Sequence, residues 1–396
     1  ALEDGDVSDM TIMGYQAGQS VNSSDAAGSV FIGAFAGDGV TNGQYNVAIG
    51  YAALDAETQG DRNTAIGYNA LTDQNGVNGE VHNTAVGYIA GHNITTGKNN
   101  TIIGSEAGAA MTTASSSVAI GRTAGDGITT GNQNIAIGFG TMNATATGAN
   151  NIAIGYDAGN SLTSGNLNTI MGKEAGKSLN SGASNVFIGT QSGEGVTTAD
   201  LNTFVGPNTG LGTQTGRGNT FLGAWVGYNS VDVDYAVIIG YNAGGTGNIT
   251  SGGDYTVGIG YEALFNNTSA GRNVAIGFRA LKAATTDGFN TAVGFGAGQN
   301  VTGTNNTLIG ESSADELTSG TKNTYLGSQV NAKAGDTGAE NRTIIGYGVR
   351  GQVDNSVTLG NTDVTDVYMN QNGGAKVHAG SMIISSSSAI NSTTAS

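Results

Sequence analysis

The sequence predicts an all-β fold: a parallel β-roll, or β-solenoid, of about 21 coils, most of them 17 residues long. The first observation is a glycine that follows an apolar residue and returns 21 times between Gly14 and Gly360. The nine consecutive steps from Gly87 to Gly240 are equal in length, and some steps elsewhere are slightly longer or shorter. The second is an alternation of β-branched residues before each glycine, which is typical of strands. The third is the glycine content, 68 of 396 residues, because each glycine costs a helix about 1 kcal/mol relative to alanine.

Each repeat unit is numbered here so that its recurring glycine is position 5, and the consensus begins Asn-Thr-Ala-Ile-Gly-Tyr-x-Ala-Gly. Position 2 is Thr, Val or Ile in all 21 units, and position 4 is Ile, Val, Leu or Met in all 21. These positions therefore mark one face of a strand. A period of about 17 residues is enough for two short strands and two turns, with glycine at position 5 providing the positive φ of a tight corner. Parallel coils about 4.8 Å apart predict a rod on the order of 100 Å long.

The repeat array accounts for nearly the whole chain. Residues 1–9 are a lead-in, residues 10–365 are the tandem-repeat shaft or head, and residues 366–396 are a non-repetitive C-terminal segment. No separate globular domain is expected within the array.

The composition excludes several classes of protein. Absence of cysteine excludes a disulfide scaffold, a cysteine-ligated zinc site and thiol catalysis. A formal net charge of −16 argues against nucleic-acid binding, which needs clustered Lys and Arg. No apolar run approaches the length of a membrane-spanning helix, roughly 18 residues, so no membrane insertion is expected. Collagen is excluded because glycine does not return at every third position and only 1 proline is present.

Positions 3 and 9 vary together in size. Position 9 is Gly in eight units with a large position 3, namely Ile12, Phe31, Ile102, Ile170, Phe187, Phe204, Phe221 and Ile238, and no unit before that of Gly310 is bulky at both positions. Position 3 is Ala or Gly where position 9 is Leu or Met, namely at Leu54, Leu71, Met142, Leu264 and Leu281. Close-packed interiors penalise overfilling and voids alike, so the two positions are predicted to share one buried volume.

Both faces of each strand are apolar, because positions 2 and 4 point to one side and position 3 to the other. A strand buried on both faces of so thin a coil needs a partner beyond its own chain. The pattern therefore indicates an oligomer with an axial apolar seam.

The units Asn46–Gly50, Asn63–Gly67 and Asn273–Gly277 closely resemble the head repeats of trimeric, YadA-like autotransporter adhesins. They also resemble β-roll segments of bacteriophage tail fibres, and the resemblance covers roughly residues 10–365. It implies a left-handed parallel β-roll in which three chains associate around a common axis, a homotrimeric fibre. The mostly 17-residue period is longer than that of the adhesin head, and the adhesins' neck, coiled-coil stalk and anchor have no counterpart in these 396 residues.

The end of the array carries a second resemblance. Residues 355–361 (Asn-Ser-Val-Thr-Leu-Gly-Asn), followed by Asp366-Val367-Tyr368, are similar to the closing segment of fibres that precede an endosialidase-type intramolecular chaperone. In that family the chaperone cuts itself off directly after a serine once the trimer has formed. The resemblance implies that Ser396 is a mature, autoprocessed C-terminus; an arbitrary boundary is the alternative.

Catalytic chemistry finds little support, so the protein is expected not to be an enzyme and to need no cofactor. His82, His92 and His378 are scattered without the spacing of metal ligands. Residues 346–351 match GxGxxG, but the βαβ context that gives those glycines their role is not predicted. Asp4 with Asp6, and Asp232 with Asp234, are weak candidates for a Ca²⁺ site. Solvation of acidic corners explains these carboxylates more simply than a Ca²⁺ site does.

Position 6 is the best binding candidate. It is aromatic in many units, and its candidate receptor-binding or glycan-binding residues are Tyr51, Tyr68, Tyr88, Tyr241, Tyr261, Phe278 and Phe295. Other units place Lys173 or Glu311 there, so the position must reach water. Exposed rings repeated along a rod could stack on the apolar faces of sugars. Alternatively, the rings cover the corner and support one another.

The expected function is that of a structural extracellular fibre that presents a receptor-binding surface for host attachment, as a virion tail fibre does. Its partners would be two sister chains, a host cell-surface glycan or other receptor, and adjacent fibre or tail proteins. A secreted bacterial surface adhesin or self-assembling matrix filament is the alternative. A polysaccharide-degrading tailspike ranks lower, because no unit concentrates the paired carboxylates that such an enzyme needs about 5–9.5 Å apart.

Overall fold

The computed structural model describes residues 9–21, 26–245, 247 and 249–367. The candidate residues Asp4, Asp6 and Ser396 lie outside the described residues, as do most of the lead-in and of the C-terminal segment.

One parallel sheet of 21 strands organises the protein, which confirms the predicted β-solenoid. Its strands are Thr11–Met13, Val30–Ile32, Val47–Ile49, Thr64–Ile66, Thr84–Val86, Thr101–Ile103, Val118–Ile120, Ile135–Ile137, Ile152–Ile154, Thr169–Met171, Val186–Ile188, Thr203–Val205, Thr220–Leu222, Val237–Ile239, Val257–Ile259, Val274–Ile276, Thr291–Val293, Thr307–Ile309, Thr324–Leu326, Arg342–Ile345 and Ser356–Leu359. Each strand pairs with the same positions of the next, as Ile135 does with Ile152. The sheet axis therefore follows the order of the repeats.

Glycine at position 5 is required by both conformation and space. The first 20 of these glycines have φ between 125° and 145°, which side chains rarely tolerate. A Cβ added at Gly50 would lie 2.3 Å from the carbonyl oxygen of Gly67 in the next coil. The corner can therefore stack at strand spacing only if it carries no side chain.

The expected second strand of each coil is wrong for most of the array. Among the described residues, a second sheet pairs only Gly60–Asp61 with Gly79–Glu80, and three isolated bridges occur elsewhere. The chain turns instead, because positions 7 and 9 both have positive φ, as at Glu106 and Gly108. Successive turns still bond to each other, so this side is hydrogen-bonded without being extended.

Positions 3 and 9 meet in the interior, which confirms their predicted shared volume, and positions 8 and 12 complete the core. Phe187, Phe204 and Phe221 have no solvent exposure and stack with centroid separations of 5.2 and 4.8 Å. A Cβ on Gly210, at position 9, would lie 2.4 Å from the Phe204 ring. Glycine at position 9 thus makes room for a large residue at position 3.

A ladder of buried asparagines at position 1 lines the interior beside the strands. Its members are Asn46, Asn63, Asn83, Asn100, Asn134, Asn151, Asn168, Asn185, Asn202, Asn219, Asn273, Asn290, Asn306 and Asn323. Asn168 donates from Nδ2 to Asn151 Oδ1 at 3.0 Å and to the Gly182 carbonyl at 2.9 Å. Its own Oδ1 accepts the Asn185 backbone N–H at 3.0 Å. The Asn168 amide therefore joins three successive coils.

Helix is almost absent from the described part of the chain, where a 3₁₀ turn at Ser251–Gly253 occupies a lengthened coil. No helix within these residues is long and apolar enough to cross a membrane.

Candidate functional site

The outer side of the sheet is an exposed apolar surface, here called the strand face and defined by positions 2 and 4 of all 21 strands. Position 3 points inward, so positions 2 and 4 point outward, as the alternation predicts. Ile103 is 40% exposed, Leu222 45% and Leu326 43%. Lone apolar residues on a surface are ordinary, but a continuous patch of this kind marks an interaction site.

Two columns of side chains flank the strand face. The position-6 column follows the corner glycine and contains every aromatic binding candidate from the sequence. Tyr51, Tyr68 and Tyr88 are about half exposed. Tyr51 stacks on Tyr68 with centroids 5.3 Å apart, and Tyr68 stacks on Tyr88 at 5.4 Å. The structure therefore brings these three candidates into one continuous stack.

The remaining four candidates form a second stack farther along the same column. Tyr241 and Tyr261 lie 5.7 Å apart, Tyr261 and Phe278 5.2 Å, and Phe278 and Phe295 4.6 Å, all nearly parallel. The two stacks are separated by coils whose position 6 is mostly not aromatic, such as Ser105.

The stacking limits what the rings can bind. Each internal ring uses both of its faces on its neighbours, so a sugar has access to ring faces only at the ends of a stack. The edges and the tyrosine hydroxyl groups remain exposed along the column. Glycan binding by Tyr51, Tyr68 and Tyr88 stays a prediction, and the available contact is edge-on.

Charged side chains reinforce the second stack. The Arg279 guanidinium lies 4.9 Å from the Phe278 centroid, and its Nε donates to Glu262 at 2.9 Å. Lys282 Nζ donates to the same carboxylate at 2.7 Å. Desolvation acts to raise the pKa of Glu262, but hydrogen bonds from Lys282, Tyr261 and Arg279 outweigh it and lower that pKa. The hydrogen bond to Glu262 raises the pKa of Tyr261.

The second flanking column was missed by the sequence analysis. It is the position-0 column, formed by the residue immediately before position 1. Tyr45, Tyr235, Tyr255 and Phe289 belong to it and are 44–58% exposed. Tyr235 and Tyr255 stack at 5.6 Å, and the Arg272 guanidinium lies 5.3 Å from the Phe289 centroid. The consensus begins at the asparagine of position 1 and leaves out the residue before it. Bulky residues immediately before position 1 were the signal in the sequence for this column.

Asp232 and Asp234 serve coil-to-coil hydrogen bonds. Asp232 Oδ1 accepts the Ser251 backbone N–H at 2.8 Å, and Asp234 Oδ1 accepts that of Arg217 at 2.8 Å. Asp254 Oδ1 accepts the Asp234 N–H at 2.8 Å. Within the described ranges, no three His, Cys, Asp or Glu side chains are grouped closely enough to hold a metal ion.

The other chemical motifs stay apart. His82 lies 3.5 Å from Glu80 and His92 lies 3.7 Å from Asp73, so the two histidines have different carboxylate neighbours. The GxGxxG sequence of residues 346–351 is followed by the strand Ser356–Leu359, where a dinucleotide site would need a helix. His378 lies outside the described residues.

Comparison of the chain with models of known protein families finds no match. Comparison with curated proteins finds no similar sequence either.

Proposed function

We propose that this protein is a homotrimeric extracellular fibre that holds a receptor-binding surface away from its point of attachment, as a phage tail-fibre shaft does. The single observation that carries the proposal is the strand face, which lies outside the core along the whole array, is half-buried to exposed, and has an aliphatic residue at position 4 of every strand. The resemblance to adhesin heads and tail fibres supplies the number of chains.

The size of the strand face supports association. Twenty strand spacings of about 4.8 Å give a length of about 96 Å, and the six residue steps between the flanking columns give a width of at most about 20 Å. The resulting upper limit of roughly 1,900 Å² leaves room for the roughly 800 Å² that each partner buries in a standard protein interface. Three such faces around one axis would remove this apolar surface from water.

The fold suits a structural role better than a catalytic one. The solenoid is stiffened in one direction by the sheet, the asparagine ladder and the phenylalanine stack. Carboxylates that a glycan-cleaving site would need are engaged in coil contacts, as Asp61 is with the Gln44 N–H and Asp200 with the Ala183 N–H. The rod therefore positions binding groups and leaves the receptor intact.

Mass and shape in solution test the proposal. Sedimentation equilibrium should give three times the 39.4 kDa chain mass, and electron microscopy should show discrete rods. A compact 39.4 kDa monomer would overturn it. Continuous filaments would favour the matrix-filament alternative, in which rods join end to end.

Receptor binding by the position-6 column is tested on a glycan array. The triple variant Tyr51→Ala, Tyr68→Ala, Tyr88→Ala is compared with the wild type and with a variant changed at exposed Thr130. Equal binding by all three would remove these rings from the receptor-binding surface.

A further inference from the structure

Two columns flank the strand face, and the position-6 column carries a ring in every coil where the position-0 column carries a planar group; it also carries rings at Tyr15, Phe139, Tyr156 and Tyr347, where position 0 has no such group. Position 0 carries a planar group (an aromatic ring, a guanidinium or an imidazole) in seven of the 21 coils, and position 6 is aromatic in all seven. The pairs are Tyr45 with Tyr51, Arg62 with Tyr68, His82 with Tyr88, Tyr235 with Tyr241, Tyr255 with Tyr261, Arg272 with Phe278, and Phe289 with Phe295. Where position 0 is glycine, at Gly28 and Gly218, position 6 is Ala34 and Ala224.

Contacts within one chain do not require this match. The two members of a pair stand on opposite sides of a strand, separated by six residues or at most about 20 Å. In the part of the chain that the structure describes, no ring or cation–π contact joins the columns, and the position-0 groups contact one another, as Arg62 does Tyr45. The match therefore needs a contact that one chain cannot make.

A cyclic assembly supplies that contact. When the symmetry axis runs along the rod, equal coils of all chains lie at the same height, and the interface joins two different patches of the chain. One edge of each strand face then meets the opposite edge of the next face. Position 0 of one chain meets position 6 of its neighbour in the same coil.

We propose that the position-6 column of each chain packs against the position-0 column of the adjacent chain, coil for coil, and sets the register of the trimer. This inference rests on the proposed homotrimer and names the residues that close it. Tyr45, Tyr235, Tyr255 and Phe289 meet aromatic partners, whereas Arg62, His82 and Arg272 stack their planar groups on a ring.

The matched pairs are unevenly distributed along the rod, and this uneven distribution can fix the register between chains. A uniform repeat could slide by one coil without losing any contact, because every coil would fit every other. Here the matched pairs fall in two groups, separated by eight coils that carry no such pair. A slip of one coil in one direction would set Tyr235 against Ala224, and a slip in the other direction would set Gly218 against Tyr241. In either case a ring loses its aromatic partner on the neighbouring chain.

The pairing also reassigns the aromatic candidates. Tyr51, Tyr68 and Tyr88 face a sister chain, so their ring edges are buried in the assembly. Receptor contacts then belong to other surfaces of the coil.

Disulfide trapping tests the pairing, because the native chain has no cysteine. The double variant Tyr45→Cys, Tyr51→Cys should form a covalent trimer on mild oxidation, seen on a non-reducing gel and reversed by reductant. An intramolecular bond is excluded, since bridged Cα atoms lie within about 7 Å of each other. Asn99→Cys with Ser105→Cys repeats the test in a coil with small polar residues, where folding is least disturbed.

The mismatched variant Tyr45→Cys, Tyr156→Cys is the control, because its cysteines lie six coils apart, about 29 Å along the rod. It should stay at the monomer position on the gel, as should each single variant. If both matched variants sediment as trimers like the wild type but neither forms a covalent trimer, the pairing of the two columns is wrong and the proposed trimer stands. Monomers in sedimentation would overturn the proposed function together with it.

Discussion

At the scale of single residues, the core places a large side chain either at position 3 or at position 9. Placing it at position 9 has a conformational cost. Leu54 and Met142 occupy position 9 with φ of 56° and 48°, a region that costs a residue with a Cβ about 1–2 kcal/mol. Glycine would avoid this cost, but position 3 is alanine in both coils, and glycine would leave a void. Filling the volume outweighs the backbone strain.

This exchange predicts coupling between Phe204 and Gly210. Phe204→Ala should lower the free energy of unfolding by about 3–5 kcal/mol, because it leaves a cavity. Gly210→Leu should cost about 1–3 kcal/mol, because the new side chain overlaps the Phe204 ring. The double variant should recover about 1–3 kcal/mol relative to the sum. Thermal unfolding followed by circular dichroism measures all three.

Phe204→Ala combined with Gly244→Leu is the matched control for that cycle. Gly244 lies two coils away and contacts Ile238 and Ile249, so its effect should simply add to that of Phe204→Ala. Additivity in the Phe204 and Gly210 pair as well would contradict a shared volume.

Glu57 is a second residue-scale feature, because it occupies a core position that holds Val40 or Ile94 in other coils. Its Oε1 accepts the N–H groups of Thr58, Gln59 and Gly60 at 2.8–3.0 Å, and its Oε2 is buried without a partner. Burial raises the pKa of Glu57, the three N–H groups lower it in part, and nearby Asp61 raises it further. The net direction is upward.

The raised pKa predicts that Glu57 favours folding in acid. The folded chain holds this proton more tightly than the unfolded chain, whose glutamate pKa is about 4.3. Stabilisation is therefore full below that value and is lost as pH rises through the folded pKa. Glu57→Gln introduces the neutral amide that Gln74 already places at this position of the next coil. It should raise the melting temperature at pH 7 and change it little at pH 4.

Glu80→Gln provides the comparison, because hydrogen bonds from His82 and Arg62 lower the pKa of Glu80, and this variant should not raise the melting temperature at pH 7. A Glu57→Gln variant that melts below the wild type at pH 7 would show that the carboxylate is stabilising when charged.

At the scale of elements, the asparagine ladder holds each strand to the turn beyond it. Asn168→Ala should lower the melting temperature and cost about 1–3 kcal/mol for each buried group left unpaired, here the Gly182 carbonyl and the Asn185 N–H. Asn168→Ser should cost less, because Ser117 already occupies a rung and its hydroxyl accepts the Asn134 N–H at 3.2 Å. Thermal unfolding ranks the variants.

Asn143→Ala is the control for the ladder, since Asn143 is exposed. Equal losses for Asn143→Ala and Asn168→Ala would mean that the buried amides add nothing specific.

At the scale of the whole molecule, the strand face should decide the number of chains. The triple variant Ile188→Glu, Leu222→Glu, Ile276→Glu places carboxylates where three faces would meet, and burying unpaired charges is costly. We expect sedimentation to shift from three chains to one, with β-sheet circular dichroism retained. The variant Thr130→Glu, Ser164→Glu, Ser181→Glu adds equal charge outside the face and should stay trimeric. A trimer that survives both sets would place the interface elsewhere.

The sequence by itself determined the coil, because the repeat is local: a glycine that only a corner tolerates, β-branched residues two apart, and a volume shared by positions 3 and 9. It did not determine that the second side of each coil would turn instead of forming a strand. That outcome depends on positive φ at position 7, which residues as different as Glu106 and Trp225 adopt.

Only the tertiary structure decided which side of the strand is inside, because both sides are apolar and alternation alone treats them alike. The interior admits Phe204 and the asparagine amides, so positions 2 and 4 are left outside with a flanking column on each edge. The local sequence pattern specifies which residues lie on the same side of the strand. The rest of the coil, which packs against one side only, decides which side is buried.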